Sequence, residues 1–173
     1  MYNQIKKRIR ELLYIHQNPD HVRDTSKIIT LSLLNHPQYQ KAKSIHIYES
    51  THFEVDTQYI INHAMKSSKD IYHPTIDPYD NERNIDLVII PGLVFDNHLT
   101  RHGRGKGYYD RYLQDINAFK CAIAYDFQVI KDGSLERKEH DIPMDIIITE
   151  THIYTREIDK FTIEHMNRLL NNE

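Results

Sequence analysis

A glycine-rich, basic loop carries the residue types in this chain that are best suited to bind a charged ligand. The chain has five glycines, and Gly103, Gly105 and Gly107 place three of them within five residues, interleaved with Arg104 and Lys106. Glycines at alternate positions allow positive φ angles and a close backbone approach, so that successive N–H groups can point at phosphate oxygens. Arg101, Arg104 and Lys106 add positive charge, and a guanidinium binds phosphate through two hydrogen bonds at once. The loop therefore predicts an anion-binding site.

This glycine pattern differs from the common nucleotide-binding motifs. No Ser or Thr follows Lys106, as a Walker A loop requires, and the spacing is not the dinucleotide pattern G-x-G-x-x-G. The spacing alone indicates phosphate binding and carries no information about adenosine. On glycine content and charge alone, a flexible basic surface loop explains the same residues equally well.

Two flanking elements would position the loop. The run from Leu87 to Ile90 is short, continuous and rich in β-branched residues, and it ends at Pro91 and Gly92. This is typical of a parallel strand that is covered on both faces. Ligands of open parallel sheets bind beyond the carboxyl ends of the strands, which is where this loop lies. The residues from Tyr108 to Leu113 are typical of a helix start, and a helix N-terminus adds a partial positive charge.

Helical and strand patterns alternate along the rest of the chain. This alternation predicts one three-layer, Rossmann-like α/β domain over residues 1–173, with a mainly parallel central sheet and a glycine-rich phosphate loop. Thr155 is predicted to cap an extra C-terminal helix. Strands are predicted over 44–48, 70–73, 87–90, 119–125 and 146–149, and helices over 2–17, 19–35, 60–65, 108–113 and 156–171.

Composition limits the classes of function. The net charge is −3 with histidine neutral, so nothing beyond the local loop suggests a surface for nucleic acid. The twelve histidines show no zinc-binding spacing, and no apolar stretch approaches membrane length. Cys121, the one cysteine, lies in an apolar run and is predicted to be buried packing. We expect a soluble, cytoplasmic protein that binds no membrane and is a monomer or a weak homodimer.

The segments PGLVFD (91–96) and RHGRGKGYYDRYL (101–113) closely resemble the signature of the 5-formyltetrahydrofolate cyclo-ligase family. Members of this family are also called 5,10-methenyltetrahydrofolate synthetases. The resemblance covers roughly residues 6–154, apart from a shortened middle. It implies closure of 5-formyltetrahydrofolate to 5,10-methenyltetrahydrofolate through a phosphorylated formyl intermediate, with ATP as co-substrate, Mg²⁺ as cofactor, and ADP and phosphate as products.

The resemblance also implies which residues contact ATP. Family members carry a lysine and an arginine four residues apart on the first helix, where both reach the nucleotide phosphates, and Lys6 and Arg10 match that spacing. One helical turn places them on one face, although a solvated basic face explains the same spacing without a ligand. The implied catalytic residues are Arg104 and Lys106, within an ATP-binding set of Lys6, Arg10, Gly103, Arg104, Gly105, Lys106, Gly107, Tyr108 and Tyr109.

Carboxylates complete the implied site. Glu54 matches a family glutamate that contacts the folate, with Tyr109 as a second implied folate contact, and Asp110 and Asp141 match the magnesium positions. Magnesium prefers oxygen ligands and keeps several waters, so two carboxylates plus ATP phosphates suffice. From the residues alone, Glu54 and Asp110 have a second explanation, because a carboxylate near a helix N-terminus stabilises the helix.

The sequence departs from the family pattern between Pro74 and Ile85, where only TIDPYDNERN replaces a longer segment that helps to wall the folate pocket in typical members. Tyr72, His73 and Tyr79 are possible replacement stacking surfaces. The shortening motivates an alternative function: a divergent member that acts as a nucleotide- or phosphate-binding regulatory protein, or on a smaller substrate. A sugar-phosphate isomerase is a third class, disfavoured because it has no use for two magnesium carboxylates.

Overall fold

Short apolar runs form the strands of an α/β fold in the computed structural model, which describes residues 2–74 and 84–156. The helices are α1 (Tyr2–Ile15), α2 (Pro19–Leu34), α3 (Pro37–Lys41), α4 (Gln58–Lys66) and α5 (Tyr108–Leu113). The strands are β1 (Ser44–Ile47), β2 (Asp70–Tyr72), β3 (Leu87–Ile90), β4 (Val94–Asp96), β5 (Arg101–His102), β6 (Phe119–Ile123), β7 (Val129–Ile130), β8 (Ile146–Ile148) and β9 (Ile153–Thr155).

The main sheet has six strands in the order β2-β1-β3-β6-β8-β9, and a smaller sheet has the order β5-β4-β7. In the main sheet, β2, β1, β3, β6 and β8 pair in parallel, and β9 runs antiparallel to β8 at the edge. The predicted α/β class with a mainly parallel sheet is therefore confirmed.

Alternate residues of the central strands serve two separate cores. In β3, Leu87 and Ile89 pack in the core that holds buried residues of α1 to α4, whereas Val88 and Ile90 pack in the core that holds those of α5. All four residues are buried. The prediction of a parallel strand covered on both faces is confirmed, because side chains of a strand alternate between its two faces.

Side-chain oxygens bind the free N–H groups at the starts of two helices. The Asn18 side chain accepts hydrogen bonds from the backbone nitrogens of Asp20 and His21 at the start of α2. The Asp56 carboxylate accepts one from the backbone nitrogen of Gln58, the first residue of α4. Side-chain oxygens satisfy N–H groups that have no partner within the helix.

The apolar residues of α2 are not all buried. Ile28 and Leu31 are 50% and 48% exposed. The buried face of α2 is partly polar and consists of Thr25, Ser26, Ile29, Thr30 and Leu33. A hydroxyl can return its hydrogen bond to the protein, as Ser26 does with the backbone nitrogen of Asp56, and so can replace an apolar residue on this face.

Three features of the fold were not predicted. They are the short helix α3, the smaller sheet, and β9, which contains Thr155 where a helix cap was expected. The rest of the expected C-terminal helix, from residue 157, lies outside the described residues, as does Tyr79. Within the part of the chain that the structure describes, no helix is both long enough and apolar enough to cross a membrane.

Candidate functional site

A cleft lies where the strand order of the main sheet reverses. From β1 the chain moves outward to β2 and then returns to the other side of β1 to form β3. Open α/β sheets bind ligands at such a point, beyond the carboxyl ends of the strands. Glu54 follows β1, and Pro91 and Gly92 follow β3, and all three line a cleft of about 720 Å³.

Five separate segments line this cleft: the start of α1, the loop after β1, the loop after β3, the stretch from β5 through the glycine loop to the first turn of α5, and the loop before β8. The lining residues are Tyr2, Lys6, Glu54, Pro91, Gly92, Arg101, His102, Gly103, Arg104, Gly105, Lys106, Gly107, Tyr108, Tyr109, Asp110, Glu136, Lys138 and Asp141. Every predicted site residue except Arg10 is among them.

The glycine loop uses its glycines in two ways. Gly105 has φ +104° and Gly107 has φ +61°, and Gly107 is the N-cap of α5. Both therefore adopt backbone that other residues rarely take. Gly103 does not have a positive φ, but a Cβ there would lie 3.0 Å from the guanidinium of Arg101. The expectation of positive φ is met at two of these three positions, and the third is a close approach.

Arg101, which precedes the glycine loop, is buried and is held by contacts with the protein. Its guanidinium donates a hydrogen bond of 2.7 Å from Nε to the carbonyl oxygen of Pro91, and its Cζ lies 4.8 Å from the centre of the Tyr109 ring. Burial lowers the pKa of this arginine. A buried guanidinium held by a carbonyl and an aromatic ring fixes the loop to the end of β3.

The predicted cations divide between two cavities. Lys6, Arg104 and Lys106 line the cleft, whereas Arg10 lines a neighbouring cavity of about 320 Å³ together with Leu13, Tyr14, Phe53, Leu93 and Arg104. Arg104 thus borders both cavities. Three of the four cations implied to bind ATP therefore line the cleft, and Arg10 lines only the neighbouring cavity.

Asp110 and Asp141 reach the same end of the cleft. The Asp110 carboxylate accepts a hydrogen bond of 3.4 Å from the backbone nitrogen of Ile142, and the Asp141 carboxylate accepts one of 2.9 Å from that of Lys138. Among the described residues, no group of three or more His, Cys, Asp or Glu side chains could hold a metal ion. Two carboxylates are a donor set that fits magnesium, provided that phosphates and water supply its other ligands.

Glu54 faces the cleft in a defined orientation. Its Oε1 accepts hydrogen bonds from the backbone nitrogen and the hydroxyl of Thr51, at 3.0 and 2.7 Å, and its carbonyl oxygen accepts one from the hydroxyl of Tyr125. The capping role belongs to Asp56, so Glu54 has no part in it. The other implied folate contact, Tyr109, is only 9% exposed, and burial raises the pKa of its hydroxyl.

Four lining residues with polar side chains had no predicted binding role: Tyr2, His102, Glu136 and Lys138. His102 could have been suspected from its place beside Gly103, but the others carry no motif. Tyr72 and His73 do not line the cleft in the described part of the chain, and the His73 ring lies 2.9 Å from the carbonyl oxygen of Ile47. Their predicted role as stacking surfaces therefore gains no support.

Comparison with known proteins agrees with this arrangement. The family model for 5-formyltetrahydrofolate cyclo-ligases matches residues 2–84 and 77–150. A 5-formyltetrahydrofolate cyclo-ligase from Mus musculus is 27% identical over 168 residues, covering 72% of this chain and 82% of its own. A mitochondrial one from Arabidopsis thaliana is 31% identical over 153 residues, covering 75% of this chain and 55% of its own.

Two solved structures share the fold. The NMR structure of the Aquifex aeolicus 5,10-methenyltetrahydrofolate synthetase superposes with a TM-score of 0.74 at 26% identity, covering 88% of this chain and 91% of that one. A 5,10-methenyltetrahydrofolate synthetase from Mycoplasma pneumoniae gives 0.70 at 26% identity, covering 86% and 98%. From its matched residues, its sheet order and its cleft, this chain belongs to the 5-formyltetrahydrofolate cyclo-ligase family.

Proposed function

We propose that this chain catalyses the ATP- and Mg²⁺-dependent cyclisation of 5-formyltetrahydrofolate to 5,10-methenyltetrahydrofolate, with release of ADP and phosphate. The observation that carries the proposal is one cleft in which the glycine loop with Arg104 and Lys106 meets Lys6, Asp110 and Asp141. Related proteins are named for this reaction or its product.

The chemistry requires activation of a poor leaving group. The formyl oxygen on N5 attacks the γ-phosphorus of ATP, and ADP departs. N10 then attacks the activated formyl carbon, loses its proton and forms the new C–N bond. Departure of the oxygen as phosphate leaves the methenyl bridge between N5 and N10. No covalent protein nucleophile is needed, which suits a site whose reactive groups are cations and carboxylates.

The protein supplies positioning and charge. Backbone N–H groups of residues 103–107, with the side chains of Arg104 and Lys106, bind the phosphates and neutralise charge that develops during transfer. Lys6 contributes from α1, and Arg10, beyond Arg104, completes the proposed ATP-binding set. Tyr108 and Tyr109 line the same end of the cleft.

The two carboxylates have a separate task. Asp110 and Asp141 would hold Mg²⁺, whose charge offsets that of the ATP phosphates.

Glu54 lines the same cleft as the glycine loop but belongs to the loop after β1. Its carboxylate would accept hydrogen bonds from the amino and ring N–H groups of the pterin. Tyr109 is only 9% exposed and would contact the pterin through that small area.

The cysteine content bears on the cellular setting. A single buried cysteine suits a reducing compartment, and we propose a cytoplasmic enzyme. We also propose that it acts as a monomer or weak homodimer on small-molecule substrates.

The proposal is tested by following the near-ultraviolet absorbance of the methenyl product with purified protein, 5-formyltetrahydrofolate and Mg²⁺. Product is expected with ATP, and none with ADP in its place or after chelation of Mg²⁺. Binding of ATP without product would overturn the cyclo-ligase assignment and favour the alternative of a regulatory protein or an enzyme for a smaller substrate.

A further inference from the structure

The first turn of α1 is joined directly to the glycine loop. The hydroxyl of Tyr2 is hydrogen-bonded to Nδ1 of His102, and the two rings meet edge to face with centroids 5.0 Å apart. His102 ends β5 and immediately precedes Gly103. The contact therefore connects the helix that carries Lys6 to the loop proposed to bind phosphates.

The second nitrogen of His102 connects a third segment. Nε2 lies 2.6 Å from the carbonyl oxygen of Glu136, in the loop that leads to Asp141. Because a carbonyl oxygen only accepts, Nε2 carries the hydrogen, and in the neutral ring Nδ1 is then the acceptor for the Tyr2 hydroxyl. The imidazole side chain is only 12% exposed, whereas Tyr2 is 36% exposed, so the bridge runs from the surface of α1 into the protein.

Lys6 contacts the ring of Tyr2, whose hydroxyl is hydrogen-bonded to His102. Its ammonium lies 4.3 Å from the centre of the Tyr2 ring, a cation–π contact between residues four apart on one helix face. A free lysine side chain samples many rotamers, and binding a phosphate requires that freedom to be lost. Contact with the Tyr2 ring restricts the Lys6 side chain in the free protein, so less conformational entropy is lost when the phosphate binds.

We propose that Tyr2 and His102 are positioning residues that hold Lys6 toward the phosphates of bound ATP. This inference rests on the proposed function, because it assigns the two residues to nucleotide binding. Both act through Lys6, and neither contacts the reacting atoms. The sequence signature alone does not reveal the pair, since its members are a hundred residues apart.

The test compares ATP binding with folate binding by calorimetry, in the presence of Mg²⁺, for wild type, Tyr2→Phe and His102→Leu. Tyr2→Phe removes one hydroxyl and keeps the ring. A hydrogen bond of ordinary net strength corresponds to about two- to tenfold in affinity, which is the expected loss for ATP, with 5-formyltetrahydrofolate unchanged. Tyr59→Phe is the matched control, because Tyr59 is 63% exposed on α4.

A second comparison separates positioning from general stability. In a Lys6→Met background, Tyr2→Phe should cause no further loss of ATP affinity, and Tyr2→Phe combined with His102→Leu should be no weaker than His102→Leu alone. An unchanged ATP affinity in Tyr2→Phe, equal losses for both ligands, or a full additional loss in the Lys6→Met background would each overturn the inference. Wild-type protein that fails to bind ATP would instead remove the proposed function, and the inference with it.

Discussion

The backbone nitrogen of Ile142 donates a hydrogen bond to the carboxylate of Asp110, which joins the first turn of α5 to the loop that carries Asp141. The two aspartates are far apart in the sequence, and this bond fixes them at one end of the cleft. Asparagine can still accept this hydrogen bond through its side-chain oxygen. The charge of either aspartate can therefore be removed with little change in shape.

Asp110→Asn and Asp141→Asn should each raise the Mg²⁺ concentration needed for half-maximal turnover. Loss of a residue that merely supports a metal ligand typically costs about 10- to 100-fold, so a direct ligand should cost at least as much. A magnesium titration of turnover checks this. Asp115→Asn, at an exposed position, is the control. An unchanged magnesium requirement in both variants would exclude the two aspartates as metal ligands.

Arg104→Ala should lower kcat/KM for ATP by about 100-fold or more, since loss of one group that stabilises transition-state charge costs about that much. Arg104 is exposed, and its removal should shift the free energy of unfolding by no more than about 0.5 kcal/mol. Arg8→Ala removes a comparably exposed arginine from α1 and should leave both quantities unchanged. Normal turnover in Arg104→Ala would remove this residue from the mechanism.

Gly105→Ala and Gly133→Ala form a matched pair for the glycine loop. Their φ angles are +104° and +108°, and a Cβ at either position meets nothing within 4 Å. Each substitution should therefore cost about 1–3 kcal/mol of unfolding free energy through backbone strain. Only Gly105→Ala should also raise KM for ATP. Equal KM values in the two variants would show that the backbone at Gly105 does not bind the nucleotide.

Asp126→Asn should destabilise the fold in a pH-dependent manner. Burial alone would raise the pKa of this carboxyl, but hydrogen bonds from Lys131, Tyr154 and Thr149 outweigh it and hold the pKa well below its usual range. The carboxylate therefore contributes stability that is complete above the unfolded pKa of about 3.9 and is lost as pH falls through the lower folded pKa.

At pH 7 we expect Asp126→Asn to lose about 1–3 kcal/mol of unfolding free energy. Denaturant unfolding of wild type and Asp126→Asn at a series of pH values checks this. The difference between their unfolding free energies should narrow below about pH 4. The exposed Asp132→Asn serves as the control. If the difference in unfolding free energy stays constant from pH 7 down to the lowest pH at which both proteins fold, the charge of Asp126 does not stabilise the fold.

Local patterns predicted the parts of the site that are adjacent in sequence. A buried apolar run, a glycine loop and a helix start follow one another from Leu87 to Leu113, and their order alone places the loop at the carboxyl end of β3. Glu54 was placed in the same cleft by the same rule, because it follows β1. Parallel pairing brings both strand ends to one edge of the sheet.

Other parts of the site depend on contacts that no local pattern encodes. The strands of the smaller sheet have two or three residues each, too few for a recognisable alternation. Arg10 matches the expected spacing with Lys6, but its side chain lines the neighbouring cavity and not the cleft. The bridge from Tyr2 through His102 to Glu136 forms only after three distant segments have packed together.

The cleft takes its lining from residues as far apart as Tyr2 and Asp141. Partly unfolded forms that lose α1 or the loop before β8 lose the proposed nucleotide site, so ATP should bind only the nearly complete fold. A ligand present at a hundred times its Kd adds about 2.7 kcal/mol to the stability of such a native state. If ATP binds as proposed, the cellular lifetime of this protein should depend on the nucleotide pool, with proteases degrading it faster when ATP is scarce.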